Sequence, residues 1–284
     1  MGFRFSAFGL KSYMPGLAGY SWAADGAKAV LCLLHGTGEH ARKYRAVAEL
    51  FAGRQISTYA ADLRGHGASE GPRGHIGTRD GVLEDVSSLI SAARRENEGI
   101  PLLVFGHSLG GNIALHYRLC GGLSGVPSAY LASSPWLRLH VRIPQWAYLT
   151  VKSAVRLWPS MRLHALPGMH TPKKYRLIDE SKDERLTHSW ISLQAAVEGY
   201  DAANMLQRRR PCTCADAPRP VFIFQGTGDK ICSPSGAQAF AEAEGGLCTL
   251  FEYPGYFHEV YNGSRADSGQ NVLDTMADII LSFC

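Results

Sequence analysis

The sequence lacks the features of membrane-spanning and secreted proteins. None of its apolar runs is long enough to cross a bilayer, and residues 1–6 show neither the basic start nor the apolar core of a secretion signal. We therefore expect a cytoplasmic protein. With 284 residues, 45% of them hydrophobic and 19% charged, the chain is suited to one large α/β domain, or to one such domain with an insertion.

Signals for disulfides, metals and nucleic acids are scarce as well. Seven cysteines are an odd number, and we interpret them as free thiols in a reducing compartment. Cys212 and Cys214 have no second Cys/His pair nearby, so we expect no zinc site. The basic run 208–210 is too short for nucleic-acid binding, and no recognised motif accompanies it.

The charge is weakly positive and unevenly distributed. The formal net charge is +4, but residues 134–220 hold 14 Lys and Arg against 7 Asp and Glu. A basic segment of this kind suits contact with an anionic or amphiphilic surface. It equally suits a solvated face with scattered arginines, and the charges alone leave both interpretations open.

The most informative stretch is 101–111. The apolar run 102–105 predicts a buried strand, and 112–118 predicts a helix. Between them, GHSLG matches G-x-S-x-G, which places Ser108 on a tight turn with its hydroxyl exposed. The pattern alone is common in a chain with 31 glycines, and Ser108 could instead be a helix N-cap.

Strands and helices alternate along most of the chain. Residues 5–26 predict an antiparallel hairpin or meander. The further predicted strands are 28–34, 55–61, 102–105, 128–132, 221–224 and 248–253. The predicted helices between and after them are 42–51, 78–95, 112–118, 235–244 and 271–283. Such alternation indicates a mostly parallel central sheet flanked by helices.

The alternation is interrupted between residues 136 and 210. This region has several prolines, no strand pattern, and helical stretches such as 144–157 and 183–206. We interpret residues 136–210 as a helical cap, or lid, inserted in a core formed by 1–135 and 211–284.

One cap helix has a clear apolar face. Trp146, Leu149 and Leu157 can share one side of the helix at 144–158, with Lys152 and Arg156 on another. We favour a helix that covers an apolar pocket. An interfacial helix in peripheral contact with a membrane would have the same pattern.

Loops that follow parallel strands gather the residues that act on a ligand. A serine hydroxyl is a weak nucleophile near neutral pH, so it requires a base, usually His, that a carboxylate orients. After Ser108, the chain offers Asp229 beyond the strand 221–224 and His258 beyond the strand 248–253. Ser, Asp, His is a known chain order of such a triad.

Each of these residues has a simpler interpretation. Asp229 could be only a turn residue, and His258 is one of eleven histidines. His35 and His66 also lie in loops that follow strands, but both precede the serine. The joint pattern favours Ser108 as nucleophile, Asp229 as acid and His258 as base.

Acyl transfer also requires hydrogen-bond donors for the developing oxyanion. Leu109 supplies one backbone N–H at the start of the helix after Ser108, where the helix dipole adds to its effect. The loop after the strand 28–34 should supply the second donor, and Thr37 is the best placed residue in it.

Five segments, in order along the chain, resemble the monoacylglycerol lipase and lysophospholipase branch of the α/β-hydrolase superfamily. They are HGTGEH at 35–40, DLRGHGASEG at 62–71, GHSLGG at 106–111, GTGDKIC at 226–232 and FHE at 257–259. The resemblance runs from about residue 10 to the C-terminus and excludes most of 136–210.

The resemblance implies the α/β-hydrolase fold with a helical cap that forms the acyl pocket. It likewise implies the roles of Ser108, Asp229 and His258 given above, with Thr37 and Leu109 as oxyanion donors. Cys232 lies where the family often has a cysteine near the pocket. The chain departs from the family in its cap, in the segment 208–220, and at Asn262-Gly263, where the family often has an Asn-Glu pair.

Together these features predict a serine hydrolase that cleaves carboxylic esters with an apolar acyl chain, of monoacylglycerol or lysophospholipid type. The reaction would pass through an acyl-serine intermediate without metal or cofactor. A small-ester carboxylesterase or an acyltransferase on the same triad is the alternative. A non-catalytic binding module would be expected to lack one member of the triad, and this sequence has all three. The expected partner is a small-molecule or lipid ester and not a nucleic acid.

Overall fold

The protein is built on one twisted sheet, seen in a computed structural model that describes residues 3–9, 16–164, 186–208, 219–262 and 270–284. The sheet has eight strands, which are β1 Phe3–Gly9, β2 Ala18–Ala24, β3 Ala29–Leu34, β4 Ile56–Ala61, β5 Leu102–His107, β6 Ala129–Ser133, β9 Val221–Gly226 and β10 Cys248–Tyr253. Their order across the sheet is β1-β2-β4-β3-β5-β6-β9-β10. Strand β2 pairs antiparallel with β1 and β4, and all later pairings in this sheet are parallel.

Helices cover both faces of the sheet, and the strand sequences explain why. Strands β3, β4, β5 and β6 are buried along their whole length, as expected for a parallel sheet with both faces covered. The helices are α1 Arg45–Gly53, α2 Arg79–Glu96, α3 Leu109–Cys120, α4 Gln145–Ala154, α5 Leu193–Gln207, α6 Pro234–Glu244 and α7 Gln270–Leu281.

Alternate residues of the strands enter two separate cores. In β3, Val30, Cys32 and Leu34 belong to the core that contains residues of α2, α3 and α6. Leu31 and Leu33 of the same strand belong to the opposite core, with residues of α1 and α7. This two-residue period follows from the geometry of an extended chain, whose side chains point alternately to opposite faces.

The predicted N-terminal hairpin and the mostly parallel sheet with flanking helices are confirmed. The expectation of no strand between 136 and 210 is wrong, because β7 Arg162–His164 pairs antiparallel with β8 Trp190–Ser192. The helix expected at 183–206 begins only at Leu193, where the Ser192 side chain caps it by accepting a hydrogen bond from Ala195 N. Part of that predicted helix, residues 183–185, lies outside the described residues, as do Cys212 and Cys214.

Helix α4 is smaller and more exposed than we expected. It ends at Ala154 instead of residue 157, and it has no buried residue. Its apolar side chains include Trp146, 73% exposed, and Leu149, 50% exposed. Division of the chain into a core and a cap at residues 136 and 210 remains a prediction.

Within the described part of the chain, no helix combines the length and the apolar character that a bilayer span requires.

The turn from β5 into α3 requires two glycines. A Cβ on Gly106 would collide with the carbonyl oxygen of Gly110, and a Cβ on Gly110 would collide with the carbonyl oxygens of Leu34 and His35. Backbone atoms cannot move aside as a flexible side chain can. The close approach of α3 to the end of β3 therefore depends on the absence of a side chain at Gly110.

Gly110→Ala should lower the free energy of unfolding by about 3 kcal/mol or more, because the new methyl group overpacks a rigid backbone contact. Thermal denaturation would measure this as a loss of several degrees in Tm. Gly53→Ala is the matched control, since a Cβ there meets nothing within 4 Å, and its Tm should equal or exceed that of the wild type. Equal Tm values for the two variants would contradict the prediction.

Candidate active site

Ser108 lies at the sharp turn between β5 and α3 in an unusual backbone conformation. Its φ is 55° and its ψ is −114°, a region that non-glycine residues rarely adopt. The surrounding structure holds it there. Ser108 N donates to Ser133 O at 3.0 Å, and Ser108 O accepts from Asn112 N and Trp136 N, each at 3.0 Å. The serine occupies the N-cap position of α3, but its side chain makes no capping hydrogen bond, so the simple N-cap interpretation is wrong.

The structure brings Ser108, His258 and Asp229 into one hydrogen-bonded chain. His258 Nε2 lies 2.9 Å from Ser108 Oγ, and His258 Nδ1 lies 2.8 Å from Asp229 Oδ2. The ionised carboxylate can only accept, so Nδ1 carries the proton and Nε2 is left to accept from the serine hydroxyl. Asp229 and His258 are buried, while Ser108 is partly exposed. A ligand can therefore reach the hydroxyl while the other two groups stay out of water.

Asp229 has several donors that favour its ionised form. Its Oδ1 accepts from Ile231 N at 2.8 Å and Cys232 N at 3.0 Å, and its Oδ2 also accepts from Gln225 Nε2 at 3.2 Å. Burial acts to raise the pKa of Asp229, but His258 and these backbone donors outweigh it and lower the pKa below its ordinary value. Asp229 N donates to Gly226 O at 3.3 Å, which closes a turn over residues 226–229, so the turn interpretation and the acid interpretation are compatible.

The loop after β3 packs directly against the serine. A Cβ on Gly36 would lie 3.2 Å from Ser108 Cβ, and Gly36 N donates to Glu39 Oε2 at 2.9 Å. Within the described residues, the backbone N–H groups of Thr37 and Leu109 donate to no turn, loop or side-chain acceptor. Leu109 is the first residue of α3, where helix N–H groups have no partner in the helix. The assignment of Thr37 and Leu109 as oxyanion donors remains a prediction.

The hydrogen bonds of the two rival histidines are to groups other than Ser108, and His66 Nε2 is buried with no partner among the described residues. His35 is fully buried, with Nε2 accepting from Leu63 N at 2.9 Å and Nδ1 at 2.8 Å from Gly36 O. His66 Nδ1 lies 2.9 Å from Arg64 O. Burial lowers the pKa of both residues. We therefore interpret them as structural.

The buried Cys232 thiol lies beside Asp229 and His258. Burial raises its pKa well above the ordinary value. Within the described residues, ligand atoms of Asp229, Cys232 and His258 lie within 4.8 Å of one another. The carboxylate and the imidazole already bond to each other, and a protonated thiol is a poor metal ligand. The group is therefore suited to proton transfer and poorly suited to a metal ion.

Sequence reasoning missed the residues that surround His258. The His107 ring packs 4.9 Å from the His258 ring and 5.1 Å from the Tyr261 ring, and its Nδ1 lies 2.9 Å from Ser133 Oγ. Glu39, Lys43 and Glu259 form a buried ionic cluster next to these rings. His107 lies within the motif GHSLG and Glu259 within the motif FHE, and these positions could have indicated that both residues belong to the site. No motif in the sequence indicated Lys43.

The region predicted as a cap touches the loop that carries Thr37. His188 N donates to Gly38 O at 2.9 Å. Gly38 has a φ of 76°, and a Cβ there would collide with the His188 carbonyl oxygen. The two backbones are therefore in direct contact beside Thr37.

Comparison with known sequences places this chain among hydrolases. A family model described as serine aminopeptidase, S33, matches residues 25–265. The monoacylglycerol lipase of Mycolicibacterium smegmatis is 28% identical over 263 residues, which cover 92% of this chain and 91% of that protein. The human monoglyceride lipase is 24% identical over 244 residues, or 84% of this chain and 78% of that protein. A longer abhydrolase domain-containing protein of Dictyostelium discoideum is 30% identical over 82% of this chain, which spans only 24% of that protein.

Solved structures share the fold. A soluble variant of monoglyceride lipase from Saccharomyces cerevisiae, in complex with a substrate analog, has a TM-score of 0.80 and 21% identity, covering 93% of this chain and 91% of that chain. The monoacylglycerol lipase of Paleococcus ferrophilus has a TM-score of 0.75 and 24% identity over the whole of both chains. These likenesses confirm the α/β-hydrolase fold that the sequence predicts.

The buried His107 should make the folded state less stable in mild acid. Burial lowers the pKa of His107 from its ordinary value near 6.5 to about 4. Between these pH values the unfolded chain binds a proton that the folded state does not, so stability rises with pH across this window. His107 should account for up to about 3 kcal/mol of that change. Urea denaturation of wild type and His107→Gln between pH 4 and 7 would measure it, and the variant should show the weaker pH dependence.

His116→Gln is the matched comparison that separates loss of a buried histidine from an effect on the triad. Burial also lowers the pKa of His116 to about 4, but none of the contacts described above links it to the triad. Both substitutions should reduce the pH dependence of stability, and only His107→Gln should also change the reactivity of Ser108. An unchanged pH dependence in His107→Gln would contradict the prediction.

Proposed function

The chain belongs to the serine aminopeptidase S33 family and to the monoacylglycerol lipase branch of the α/β-hydrolases, and from that premise we propose that it hydrolyses carboxylic esters with apolar acyl chains. The observation that carries the proposal is the hydrogen-bonded chain from Ser108 through His258 to Asp229, at 2.9 and 2.8 Å. The named activities of the relatives support an ester, and specifically a monoacylglycerol, as the substrate class.

In the first half of the proposed reaction, Ser108 Oγ attacks the ester carbonyl carbon while His258 Nε2 takes the hydroxyl proton. Asp229 orients the imidazole and stabilises its protonated form. The backbone N–H groups of Thr37 and Leu109 bind the oxyanion of the tetrahedral intermediate. His258 then gives its proton to the departing alcohol, which leaves an acyl group on Ser108.

In the second half, water replaces the alcohol. His258 Nε2 takes a proton from the water, whose oxygen attacks the acyl-Ser108 carbonyl. Collapse of the second tetrahedral intermediate releases the carboxylic acid, and His258 returns the proton to Ser108. The proposed cycle uses side chains and backbone of this chain and water.

Ser108→Ala should abolish labelling by a fluorophosphonate probe and lower kcat on p-nitrophenyl esters by at least about 10³-fold, because it removes the nucleophile. Ser88→Ala, at a partly buried serine of α2 whose hydroxyl donates to Glu84 O, is the control and should retain labelling and activity. Labelling of Ser108→Ala at the wild-type rate would disprove the assigned nucleophile.

The acyl preference of the wild type should separate the lipid esterase from its alternative. We expect kcat/KM on p-nitrophenyl esters to rise from acetate to octanoate or decanoate, since a longer chain buries more apolar surface. Activity that peaks at acetate or butyrate would favour a small-ester carboxylesterase. An acyltransferase would instead pass the acyl group to an added alcohol, which product analysis in aqueous glycerol would detect.

We also propose that the protein meets its substrate at a lipid surface. Exposed apolar side chains, which we call the α4 surface, lie on and beside α4: Val141, Ile143, Trp146, Leu149, Leu157, Trp158, Met161 and Leu163. Apolar patches of this kind mark interaction sites. The exposed Arg142 and Arg156 lie in the same stretch and suit anionic headgroups, as in interfacial helices.

The combined substitution Trp146→Ala and Leu157→Ala should weaken binding to vesicles of phosphatidylcholine and phosphatidylglycerol by at least about tenfold, through loss of buried apolar area. Vesicle sedimentation would measure it. Activity on a soluble short-chain ester should be unchanged. Leu247→Ala, at a leucine that is 39% exposed outside the α4 surface, is the control. Equal vesicle binding by all three proteins would contradict contact through the α4 surface.

A further inference from the structure

A buried lysine lies between two carboxylates beside the candidate site. Lys43 Nζ donates to Glu39 Oε1 and to Glu259 Oε1, both at 2.6 Å. The exposed fractions of the three side chains are 5% for Lys43, 11% for Glu39 and 2% for Glu259. Burial of three charges carries a large desolvation penalty, and apolar residues often serve stability equally well. The cluster therefore calls for an explanation other than stability.

One end of the cluster fixes the loop that carries Thr37. Glu39 Oε2 accepts from Gly36 N at 2.9 Å and from the Tyr44 hydroxyl at 2.7 Å. Gly36 directly precedes Thr37 and packs against Ser108. Burial acts to raise the pKa of Glu39, but the Lys43 ammonium and the Tyr44 hydroxyl outweigh it and hold the pKa well below its usual value. Glu39 is therefore ionised and accepts through both oxygens.

The other end fixes the loop that carries His258. Glu259 directly follows His258 in the chain, and its Oε2 accepts from Asn262 Nδ2 at 3.2 Å. Asn262 N donates in turn to Glu259 O at 2.8 Å. The Glu259 side chain is thus held both within its own loop and by Lys43. A hydrogen bond between the hydroxyls of Tyr44 and Tyr261, at 3.1 Å, joins the same two loops.

The strands that carry these two loops do not pair directly with each other. The Thr37 loop follows β3 and the His258 loop follows β10, and β5, β6 and β9 lie between those strands. No strand pairing joins β3 to β10. The separation of the Thr37 N–H from the His258 imidazole therefore depends on contacts above the strand ends, and the Glu39–Lys43–Glu259 bridge supplies such a contact.

We propose that Lys43 is a positioning residue that holds the second oxyanion donor and the general base at the separation that ester hydrolysis requires. The inference rests on the proposed function. Lys43 acts through Glu39 and Glu259, the two carboxylates that its ammonium contacts at 2.6 Å. Ser108 attacks the carbonyl carbon of the acyl group while the Thr37 N–H binds the carbonyl oxygen. A shift between the two loops therefore raises the free energy of the transition state more than that of the bound substrate.

Lys43→Met should therefore lower kcat by about 10- to 100-fold and leave KM within about twofold, because small displacements of catalytic groups have effects of this size. An alkyl boronic acid, whose adduct with Ser108 has a tetrahedral anionic form, should lose affinity by a similar factor. Lys43→Arg retains a cation that can contact both carboxylates and should recover part of kcat. Initial rates on a p-nitrophenyl ester and boronate inhibition constants would measure these effects.

Arg118→Met is the matched control for a lost buried charge. The Arg118 side chain is 1% exposed and pairs with Glu244 at 2.8 Å, on α3 and α6. The Arg118→Met variant should have a lower Tm than the wild type, as Lys43→Met does. Its kcat and its boronate affinity per folded molecule should equal those of the wild type. If the two variants lose activity in proportion to their loss of folded protein, Lys43 is merely structural and the inference is overturned.

Milder variants keep the inference falsifiable if Lys43→Met does not fold. Glu39→Gln and Glu259→Gln each retain a neutral hydrogen-bonding group of the same shape. If one bridge joins the loops, the double variant should lose little more kcat than either single variant. Two independent effects that multiply in the double variant would overturn the inference. Absence of ester hydrolysis in the wild type would refute the proposed function, whereas an active wild type with an unaffected Lys43→Met would refute only the role of Lys43.

Discussion

The strained backbone at Ser108 is the constraint that the surrounding structure has to satisfy. A non-glycine residue at a φ of 55° persists only because β6 and the segment after it hold it with backbone hydrogen bonds. Those bonds require β5 and β6 to pair in register, and the start of α3 to lie against the end of β3 without a side chain at Gly110. The pairing and packing of the apolar strands thus fix the position of the Ser108 hydroxyl. Folding energy from two large cores supports a local strain of the order of 1–3 kcal/mol.

The sequence was sufficient to predict those site residues that local patterns and their order along the chain identify. Ser108, Asp229 and His258 follow predicted strands, and because parallel strands end at one edge of a sheet, their loops converge there. The structure brings these three side chains into one hydrogen-bonded chain. Thr37 and Leu109 are different. A backbone N–H has no side-chain signature, so their roles as donors stay predictions.

Two kinds of feature escaped prediction for physical reasons. Strands β7 and β8 have three residues each and lie far apart in the chain, so no periodicity could reveal them. Lys43 lies in a short 3-10 turn ahead of α1, where a lysine is ordinarily solvated. Its burial arises from a contact with Glu259, 216 residues away. Long-range ionic contacts of this kind produce no local sequence pattern. The substrate preference could not be predicted either, because the sequence departs from the family pattern in the region predicted as a cap.

The contact between His188 and Gly38 couples the region predicted as a cap to the loop that carries Thr37. Each backbone limits where the other can lie, and Gly38 is the residue after Thr37. The region predicted as a cap and the loop that carries Thr37 are therefore not separable modules in this molecule. Replacement of that region by the corresponding region of a relative would displace the Thr37 loop unless the replacement reproduced this contact. Divergence within the family should accordingly be freest in the parts of the cap that are remote from residue 188.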